Sequence, residues 1–267
     1  MGKQNSLIVI ILIKVAAMVR VLLSLRYKVS VKGYEILKNS SPLLILPNHP
    51  ALIDPFIIMS QIFRYTKAIP VVSSTYYDIP LARSVFNELG AVRVSNLEAG
   101  SRNINVLNEI TRSALKAFNR RKSLLLYPGG QLAGQGYEKI YNKKSAHKII
   151  LKIPEDVKVI GLRITGLWGS IFTKASTGKS PNLFIQLTKG FIYILANLIF
   201  FLPRRKVTIE IEDITFRAKT NAELGIKSFN LFLEDFYNIH GEEDPNFLRH
   251  FFILPNKKNP AQGESPA

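Results

Sequence analysis

The sequence contains no cysteine, and histidine is scarce among its 267 residues. Without cysteine the chain forms no disulfide, offers no thiolate to a metal ion and has no cysteine nucleophile. The histidines stand singly, with no spacing typical of metal ligands, so we expect neither a metal site nor a bound cofactor. They are His49, His147, His240 and His250.

Acidic residues are outnumbered, because 19 Asp and Glu stand against 36 Lys and Arg, which gives a net charge of +17. Such an excess indicates an anionic partner: a nucleic acid, an anionic membrane face or an acidic small substrate. In a basic protein that binds nucleic acid, we would expect aromatic residues interleaved on a strand platform, or a helix-turn-helix. The sequence has neither pattern. We therefore expect no nucleic-acid partner.

Long apolar runs are few, and the first lies at the N-terminus. Residues 6–25 approach the hydrocarbon width of a bilayer in length, but Lys14 and Arg20 interrupt them. Because charges are costly inside a span whereas basic side chains of an interfacial helix reach the headgroups, we expect a helix in the membrane plane. A true span and a helix packed on the domain are the alternatives. No A-x-A-like site follows, which argues against a cleaved secretory signal.

The second apolar run, residues 191–202, is too short to cross a bilayer. Pro203 stops it before the basic residues Arg204, Arg205 and Lys206. Aromatic side chains beside basic ones are typical of segments at an anionic membrane surface, although a wholly buried helix is the alternative. The two runs and the charge predict a monotopic or peripheral membrane protein at the cytoplasmic face, with an anionic membrane surface as partner.

Short β-like runs alternate with helical stretches, which predicts an α/β fold with a mainly parallel central sheet flanked by helices. The predicted strands are residues 27–31, 42–46, 68–72, 91–94, 123–127, 157–164 and 207–211, and the predicted helices are 55–63, 80–89 and 98–118. We expect an N-terminal membrane-associated helix (1–25), a single domain (26–254) and a disordered polar tail (255–267).

An imidazole and a carboxylate, those of His49 and Asp54, stand five residues apart directly after the second predicted strand. A loop histidine can take a proton from a hydroxyl near neutral pH, and a carboxylate on its other ring nitrogen fixes the tautomer and stabilises the imidazolium. No serine or cysteine nucleophile is required when the substrate brings its own hydroxyl. The alternative is that Asp54 only caps a helix that begins at Pro55.

The pattern Asn48-His49, four residues, Asp54 resembles the signature of the glycerolipid acyltransferases. Residues 90–94, 124–131 and 157–161 resemble three further blocks of that family in the same order, so the resemblance covers about residues 10–215. It implies that His49 and Asp54 are catalytic. It also implies transfer of an acyl chain from acyl-CoA or acyl carrier protein, as co-substrate, to the hydroxyl of a lysolipid or glycerol phosphate.

The resemblance also implies substrate-binding residues, but the chain departs from the family there. The third block usually reads Phe-Pro-Glu-Gly-Thr-Arg, and in this chain Gly129 replaces the Glu while Gln131-Leu132 replaces Thr-Arg. The groups usually credited with handling the glycerol and the phosphate are thus absent. In the second block the family's Arg falls at Asn96, three residues after Arg93. We assign substrate binding to Arg93, Pro128, Gly129, Gly130 and Gln131.

Two details of this site stay open. Glu138 is a candidate for the missing acidic group, although a solvated loop charge is the favoured interpretation. Backbone N–H groups of residues 129–131, or of the helix after Asp54, are candidates for stabilising an oxyanion, but a plain tight turn explains the two glycines equally well.

The hypothesis that follows is a membrane-associated O-acyltransferase that acylates a lysophospholipid in phospholipid biosynthesis or remodelling. Residues 166–170 and 233–238 resemble the bacterial branch that is sometimes fused to acyl-acyl-carrier-protein synthetases. One alternative is a 1-acylglycerol-3-phosphate acyltransferase. Another is an inactive membrane-binding relative, which the altered third block suggests and the intact pair of His49 and Asp54 argues against.

Overall fold

A seven-stranded sheet runs through the centre of the computed structural model, which describes residues 2–38, 41–94, 104–198 and 201–249. The strands are β1 (Tyr27–Lys32), β2 (Leu43–Pro47), β3 (Ile69–Ser73), β4 (Val92–Val94), β5 (Leu124–Leu125), β6 (Lys158–Thr165) and β7 (Arg205–Asp213). Their order across the sheet is β1-β7-β6-β2-β5-β3-β4. Only β6 and β7 pair antiparallel among these strands, so the predicted mainly parallel α/β fold is confirmed.

Helices cover both faces of this sheet. They are α1 (Gly2–Ser24), α2 (Asp54–Ile62), α3 (Ser74–Tyr77), α4 (Pro80–Leu89), α5 (Ile104–Asn119), α6 (Ser145–Ile150), α7 (Leu183–Ala196), α8 (Thr215–Glu223) and α9 (Ile226–Tyr237), with a 3-10 helix at Tyr34–Lys38. Helices α5, α6, α8 and α9 pack on one face, whereas α2 and the 3-10 helix pack on the other.

Strand β2 is buried along its whole length, and its side chains alternate between the two faces. Leu44 and Leu46 belong to the core under α5 and α9, whereas Leu43 and Ile45 belong to the core under α2. A parallel strand that is covered on both faces needs an apolar side chain at every position. This explains why the segment before His49 is continuously apolar instead of alternating.

The predicted strands all correspond to observed ones, and α4 has the predicted bounds. Strand β5 is shorter than predicted, and α2 begins one residue earlier than predicted, at Asp54. Helices α3, α6, α7, α8 and α9 lie outside the predicted helices, although α7 overlaps the second apolar run and buried apolar residues of α9 recur at helical spacing. The predicted tail 255–267 and the first part of the predicted helix 98–118 lie outside the described residues.

Helix α7 differs from an ordinary core helix in its exposure. No side chain of α7 is buried, so the alternative of a wholly buried helix is wrong for the helical part of the second apolar run. Within the described residues, no helix combines the length and the apolar character that crossing a bilayer demands.

We predict that Gly161→Ala lowers the free energy of unfolding by about 1–3 kcal/mol through overpacking. Gly161 lies in β6, where a Cβ would stand 2.6 Å from two ring carbons of Phe236, a buried residue of α9. The matched control is Gly134→Ala, because a Cβ at that position meets no heavy atom within 4 Å. Urea unfolding in detergent measures both variants. Equal stability of the two would contradict the close packing of α9 on β6.

Candidate active site

A short loop between β2 and α2 carries His49 and leads to Asp54, the first residue of α2, at the carboxyl end of the sheet's central strand, where sites of parallel sheets gather. Asn48 ties the loop to β6, because its Nδ2 donates to the Ile164 carbonyl (3.0 Å) and its Oδ1 accepts the Ile164 N–H (2.8 Å). On the other side, the Leu52 N–H donates to the carbonyl of Phe172 at 3.0 Å. The loop is therefore fixed at both ends.

The imidazole of His49 contacts the carboxylate of Asp54 as predicted. Its Nδ1 lies 3.1 Å from Oδ1 and 3.0 Å from Oδ2. Asp54 is 0% exposed, and α2 begins at Asp54 itself, with Ile53 at the N-cap position and no side-chain capping bond. The interpretation of Asp54 as only a helix cap is therefore wrong.

Two further donors hold the Asp54 carboxylate. The Ala51 N–H donates to Oδ2 at 3.0 Å, and the hydroxyl of Tyr127 donates to Oδ1 at 2.6 Å. Burial, and then the charge of Asp54, raise the pKa of Tyr127 well above its usual value, so its hydroxyl stays a donor. The rings of Tyr127 and His49 also pack, with 4.2 Å between their centroids. Sequence reasoning assigned Tyr127 no role, although it stands where the third block of the family has Phe.

The ionisation of His49 follows from these neighbours. Burial alone would lower the pKa of His49, but the charge and hydrogen bond of Asp54, and then the charge of Glu138, outweigh burial and raise it. When Nδ1–H bonds to Asp54, Nε2 carries the lone pair of the neutral ring. Nε2 has no hydrogen-bond partner in the described part of the chain, and the side chain is 16% exposed. The ring can therefore accept a proton from a ligand.

The turn of the third block, residues 127–130, follows β5 beside the end of β2, and it lies against His49. The Gly130 N–H donates to the Tyr127 carbonyl at 3.1 Å, and a φ of 61° at Gly130 lies in the left-handed region that favours glycine. The Ala133 N–H donates to the carbonyl of His49 at 2.9 Å. Pro128 and Gly129 are buried, whereas Gly130 is exposed and Gln131 is half-buried. A tight turn is thus present, and it adjoins the candidate base.

Glu138 belongs to this site, so its interpretation as a solvated loop charge is wrong. The residue is 3% exposed, and its Oε2 accepts the backbone N–H of His49 at 2.9 Å. Burial raises the pKa of Glu138 to about 7, although its hydrogen bond with His49 acts in the opposite direction. The sequence pattern carries no signal for this contact.

Arg93 lies apart from His49. It is on β4, the edge strand, three strand positions from β2 and therefore roughly 14 Å away at the usual strand spacing. Its guanidinium forms a bidentate ion pair with Asp78, with Nη2 2.6 Å from Oδ2. Both side chains are about half exposed, at 51% and 46%. A role for Arg93 in substrate binding stays a prediction.

An apolar groove of about 890 Å³ opens beside the loop of His49, within the size range of small-molecule sites. Ile53 and Phe56, on either side of Asp54 and Pro55, line it together with Phe172. Helices α1 and α7 supply much of the remaining apolar wall, including Leu22, Leu23, Phe191 and Ile194.

Two further expectations concern charge and metals. In the basic trio after the second apolar run, Arg204 and Lys206 are exposed, but Arg205 is buried, and its guanidinium donates to four backbone carbonyls. Arg205 therefore stabilises the fold through these carbonyls, and it also forms part of the wall of the groove. No group of three His, Cys, Asp or Glu side chains in the described part of the chain is arranged to hold a metal ion.

We predict that Tyr127→Phe raises the pKa of His49. The phenol hydroxyl stabilises the charge of Asp54, so its loss leaves a carboxylate that attracts the imidazolium more strongly. Loss of a hydrogen bond to a charged group also lowers the free energy of unfolding, by about 1.5–3 kcal/mol. NMR titration of histidines labelled at Cε1, assigned with His49→Ala, measures the pKa. An unchanged or lower value would contradict the role given to the hydroxyl.

Comparison with known proteins identifies the family of this chain. The profile of the family described as Acyltransferase matches residues 28–165, more than half of the chain. Among solved structures, the chain is similar to the 1-acyl-sn-glycerophosphate (LPA) acyltransferase PlsC from Thermotoga maritima. The TM-score is 0.59 and the identity 14%, over 90% of this chain and 82% of that one, so the likeness concerns the fold. None of the curated proteins matches the sequence. The chain belongs to the acyltransferase family, the glycerolipid acyltransferases that its motifs resemble.

Proposed function

We propose that the protein transfers a fatty acyl group from acyl-CoA or acyl carrier protein to the hydroxyl of a lysophospholipid, with His49 as general base. The observation that carries this proposal is the Nε2 of His49, which has no hydrogen-bond partner among the described residues and belongs to a ring backed by the buried carboxylate of Asp54. An apolar groove reaches Ile53, in the same loop as His49. Membership of the family supplies the reaction class.

The reaction needs no covalent intermediate on the protein. Nε2 of His49 takes the proton of the acceptor hydroxyl while the hydroxyl oxygen attacks the carbonyl carbon of the thioester. Asp54 stabilises the imidazolium that forms. When the C–S bond breaks, the imidazolium gives the proton to the departing sulfur. The products are the acylated lipid and a free thiol, and His49 is neutral again.

The turn of the third block supports stabilisation of the oxyanion. The Gly130 N–H is engaged by the Tyr127 carbonyl. The N–H groups of Gly129 and Gln131, in contrast, donate to no group in the described ranges. Preorganised backbone donors of this kind act most strongly where water is excluded. We assign the oxyanion to these two N–H groups.

The groove supports a long acyl chain as part of the substrate. Its walls are mainly apolar. They include Ile53 and Phe56, which flank Asp54 and Pro55 in the chain. An acyl chain that lies along α1 and α7 would therefore reach the loop that carries His49, although His49 itself does not line the groove. Burial of each methylene in such a groove contributes about 0.8 kcal/mol, which favours long chains over short ones.

An anionic headgroup of the acceptor needs a basic side chain near His49. Arg93 is already paired with Asp78, so a phosphate would have to displace that ion pair. Lys174 is nearer to the base, because its charge acts to lower the pKa of His49, and its Nζ donates to the carbonyl of Leu132 at 3.2 Å. We propose that Lys174 attracts the anionic headgroup of the acceptor.

A membrane surface is the proposed source of the lipid. Helix α7 exposes Phe184, Ile185 and Phe191, each by more than half, and α1 exposes Met18 and Val21. The groove lies between these helices. Exposed apolar helices on a protein of net charge +17 favour monotopic or peripheral attachment to an anionic membrane, and we propose the cytoplasmic face.

A second acceptor is 1-acylglycerol 3-phosphate. One observation favours it: the similar structure from Thermotoga maritima bears the name of an acyltransferase for that lipid. Both acceptors present a hydroxyl to the same base and an anionic phosphate to the same surroundings, so the mechanism above serves either. A panel of lysolipids offered with labelled acyl-CoA and acyl carrier protein distinguishes them.

We predict that His49→Ala lowers acyl transfer to the best acceptor of that panel by roughly 100-fold to 10,000-fold, because it removes the positioned base. Asp54→Asn should be nearly as damaging, since an amide does not stabilise the imidazolium. Initial rates with purified protein in detergent or liposomes measure both variants.

The matched control for this measurement is His240→Ala. His240 is 60% exposed and pairs with Glu210, away from the groove. It should retain normal turnover. Near-normal turnover of His49→Ala, with its unfolding transition intact, would remove the catalytic role of the pair.

We predict that deletion of residues 1–25 releases the protein from membranes only partly, because α7 and the basic surface remain as a second anchor. Binding of the truncated protein to anionic liposomes should weaken with salt, since a Debye length of about 8 Å applies at physiological ionic strength. Sedimentation at low and high salt measures it. Complete loss of binding at low salt would leave α1 as the only anchor.

A point variant tests α7 within the full chain. Phe191→Glu should weaken liposome binding, because Phe191 is 60% exposed on the apolar surface of α7. Phe216→Glu is the control, since Phe216 is 82% exposed but lies on α8, which packs on the other face of the sheet. Equal effects of the two substitutions would show that binding does not depend on α7.

A further inference from the structure

Gly129 and Glu138 compete for the same space. An ideal Cβ on Gly129 would stand 2.7 Å from Oε1 of Glu138, closer than real Cβ contacts. The backbone of Gly129 is not in the left-handed region, so its conformation alone does not require glycine. The carboxylate of Glu138 therefore fills the position where a side chain at 129 would begin, and 129 is where the third block usually has its Glu.

Helix α9 fixes Glu138 in this position. The side chain of Asn238, which follows α9, binds both backbone groups of Glu138: Oδ1 accepts its N–H (2.8 Å) and Nδ2 donates to its carbonyl (2.9 Å). Oε1 of Glu234 accepts the N–H groups of Ile140 and Tyr141 at 2.7 and 3.2 Å. The loop that carries Glu138 is thus held by four hydrogen bonds from side chains of one segment.

Only one oxygen of the Glu138 carboxylate accepts a hydrogen bond from the described residues. Oε2 accepts the N–H of His49, whereas Oε1 has no donor in the part of the chain that the structure describes. The ionisable groups that act on it come from every element packed around it: His49 and Asp54 from the β2–α2 region, Tyr127 from the third block, and Glu234 and Tyr237 from α9.

We propose that Glu138, nine residues later in the chain, supplies the carboxylate that the third block lacks at position 129, and that it positions His49 by accepting its backbone N–H. This inference rests on the acyl-transfer function proposed above and concerns the same site. Glu138 is a positioning residue, since it acts on the base and not on the reacting atoms. Gly129 is glycine because Glu138 takes its place.

The charge of Glu138 gives this role a measurable signature. A negative Glu138 stabilises the imidazolium and so raises the pKa of His49. Burial in turn raises the pKa of Glu138 to about 7, so its own charge appears in the range where His49 titrates. The two groups then titrate as a coupled pair, in two overlapping steps. Removing the charge should leave one step for His49, at lower pH.

The first experiment compares Glu138→Gln with Glu243→Gln by NMR titration of His49. The amide oxygen of Gln still accepts the His49 N–H, so only the charge is lost. Glu243 is the matched control, because it is a partly buried carboxylate that accepts backbone N–H groups, those of Gly166 and Trp168, without contacting His49. We expect the pKa of His49 to fall by about half a unit or more in Glu138→Gln and to stay unchanged in the control. An unchanged pKa in Glu138→Gln would overturn the proposal.

Stability gives a second readout of the same charge. A carboxyl whose pKa is raised in the folded state binds more protons than in the unfolded state between its two pKa values. Glu138 therefore contributes stability below about pH 4.5 that is lost as the pH rises through about 7. Glu138→Gln should gain stability relative to the parent over this window. A constant difference from pH 4 to pH 8 would contradict a buried, titrating Glu138.

The decisive experiment moves the carboxylate back to its usual position. Glu138→Ala removes the acceptor of the His49 N–H, and displacement of the base should lower kcat by roughly 100-fold. Gly129→Glu alone should also lose activity, because two carboxylates then meet in one buried space. The double variant Gly129→Glu, Glu138→Ala should recover at least about tenfold over Glu138→Ala, a coupling that independent sites do not show. A folded double variant no better than Glu138→Ala would overturn the proposal.

The two kinds of failure are distinguishable. If no lysolipid is acylated by the parent protein, the proposed function fails, while the NMR titration still reports whether Glu138 acts on His49. If the parent protein is active and Glu138→Gln keeps the parent pKa of His49 and the parent pH profile of kcat/KM, this inference fails and the proposed function stands.

Discussion

The buried carboxylate of Asp54 is the group around which the site is built. A carboxylate without solvent exposure is costly unless donors surround it. Its donors come from three places: the Ala51 N–H, the Tyr127 hydroxyl and the imidazole of His49. They meet because β2 and β5 are parallel neighbours whose ends lie at the same edge of the sheet. The topology of the sheet thereby brings hydrogen-bond donors to the carboxylate of Asp54, and this carboxylate in turn orients the ring of His49.

The environments of two carboxylates separate their roles. Asp54 accepts hydrogen bonds from three donors, whereas Glu138 accepts one, and burial raises the pKa of Glu138 to about 7. Poorly solvated carboxyls with few donors hold their protons to higher pH. The charge of Glu138 therefore changes near neutral pH. Asp54 contacts the imidazole directly and fixes the tautomer of His49. Two acidic residues thus contact one histidine, Asp54 at the ring and Glu138 at the backbone N–H.

Short-range features of this fold and site follow from the sequence, and long-range ones do not. The strands were predictable because buried parallel strands are continuously apolar, and the contact of His49 with Asp54 because five residues separate them. Tyr127 and Glu138 reach the same loop across 73 and 89 residues, and no local periodicity encodes such distances. Arg205 shows the opposite kind of difference. Its place in a basic run predicts an exposed side chain, but it is buried and its guanidinium donates to backbone carbonyls.

The proposed reaction makes opposite demands on solvent, and the apolar groove on one side of the sheet reconciles them. A base backed by a buried carboxylate works best where water is excluded, whereas a lipid must arrive from a surface. The core under α2 also receives Leu23 of α1 and Leu183 of α7, so the apolar helices and the loop of His49 share one side of the sheet. The groove between them leads from exposed apolar side chains to Ile53, next to Asp54. In the proposed reaction, an acyl chain that fills this groove would displace water from the side of the loop that carries Ile53, and so would make the surroundings of the proton transfer more apolar.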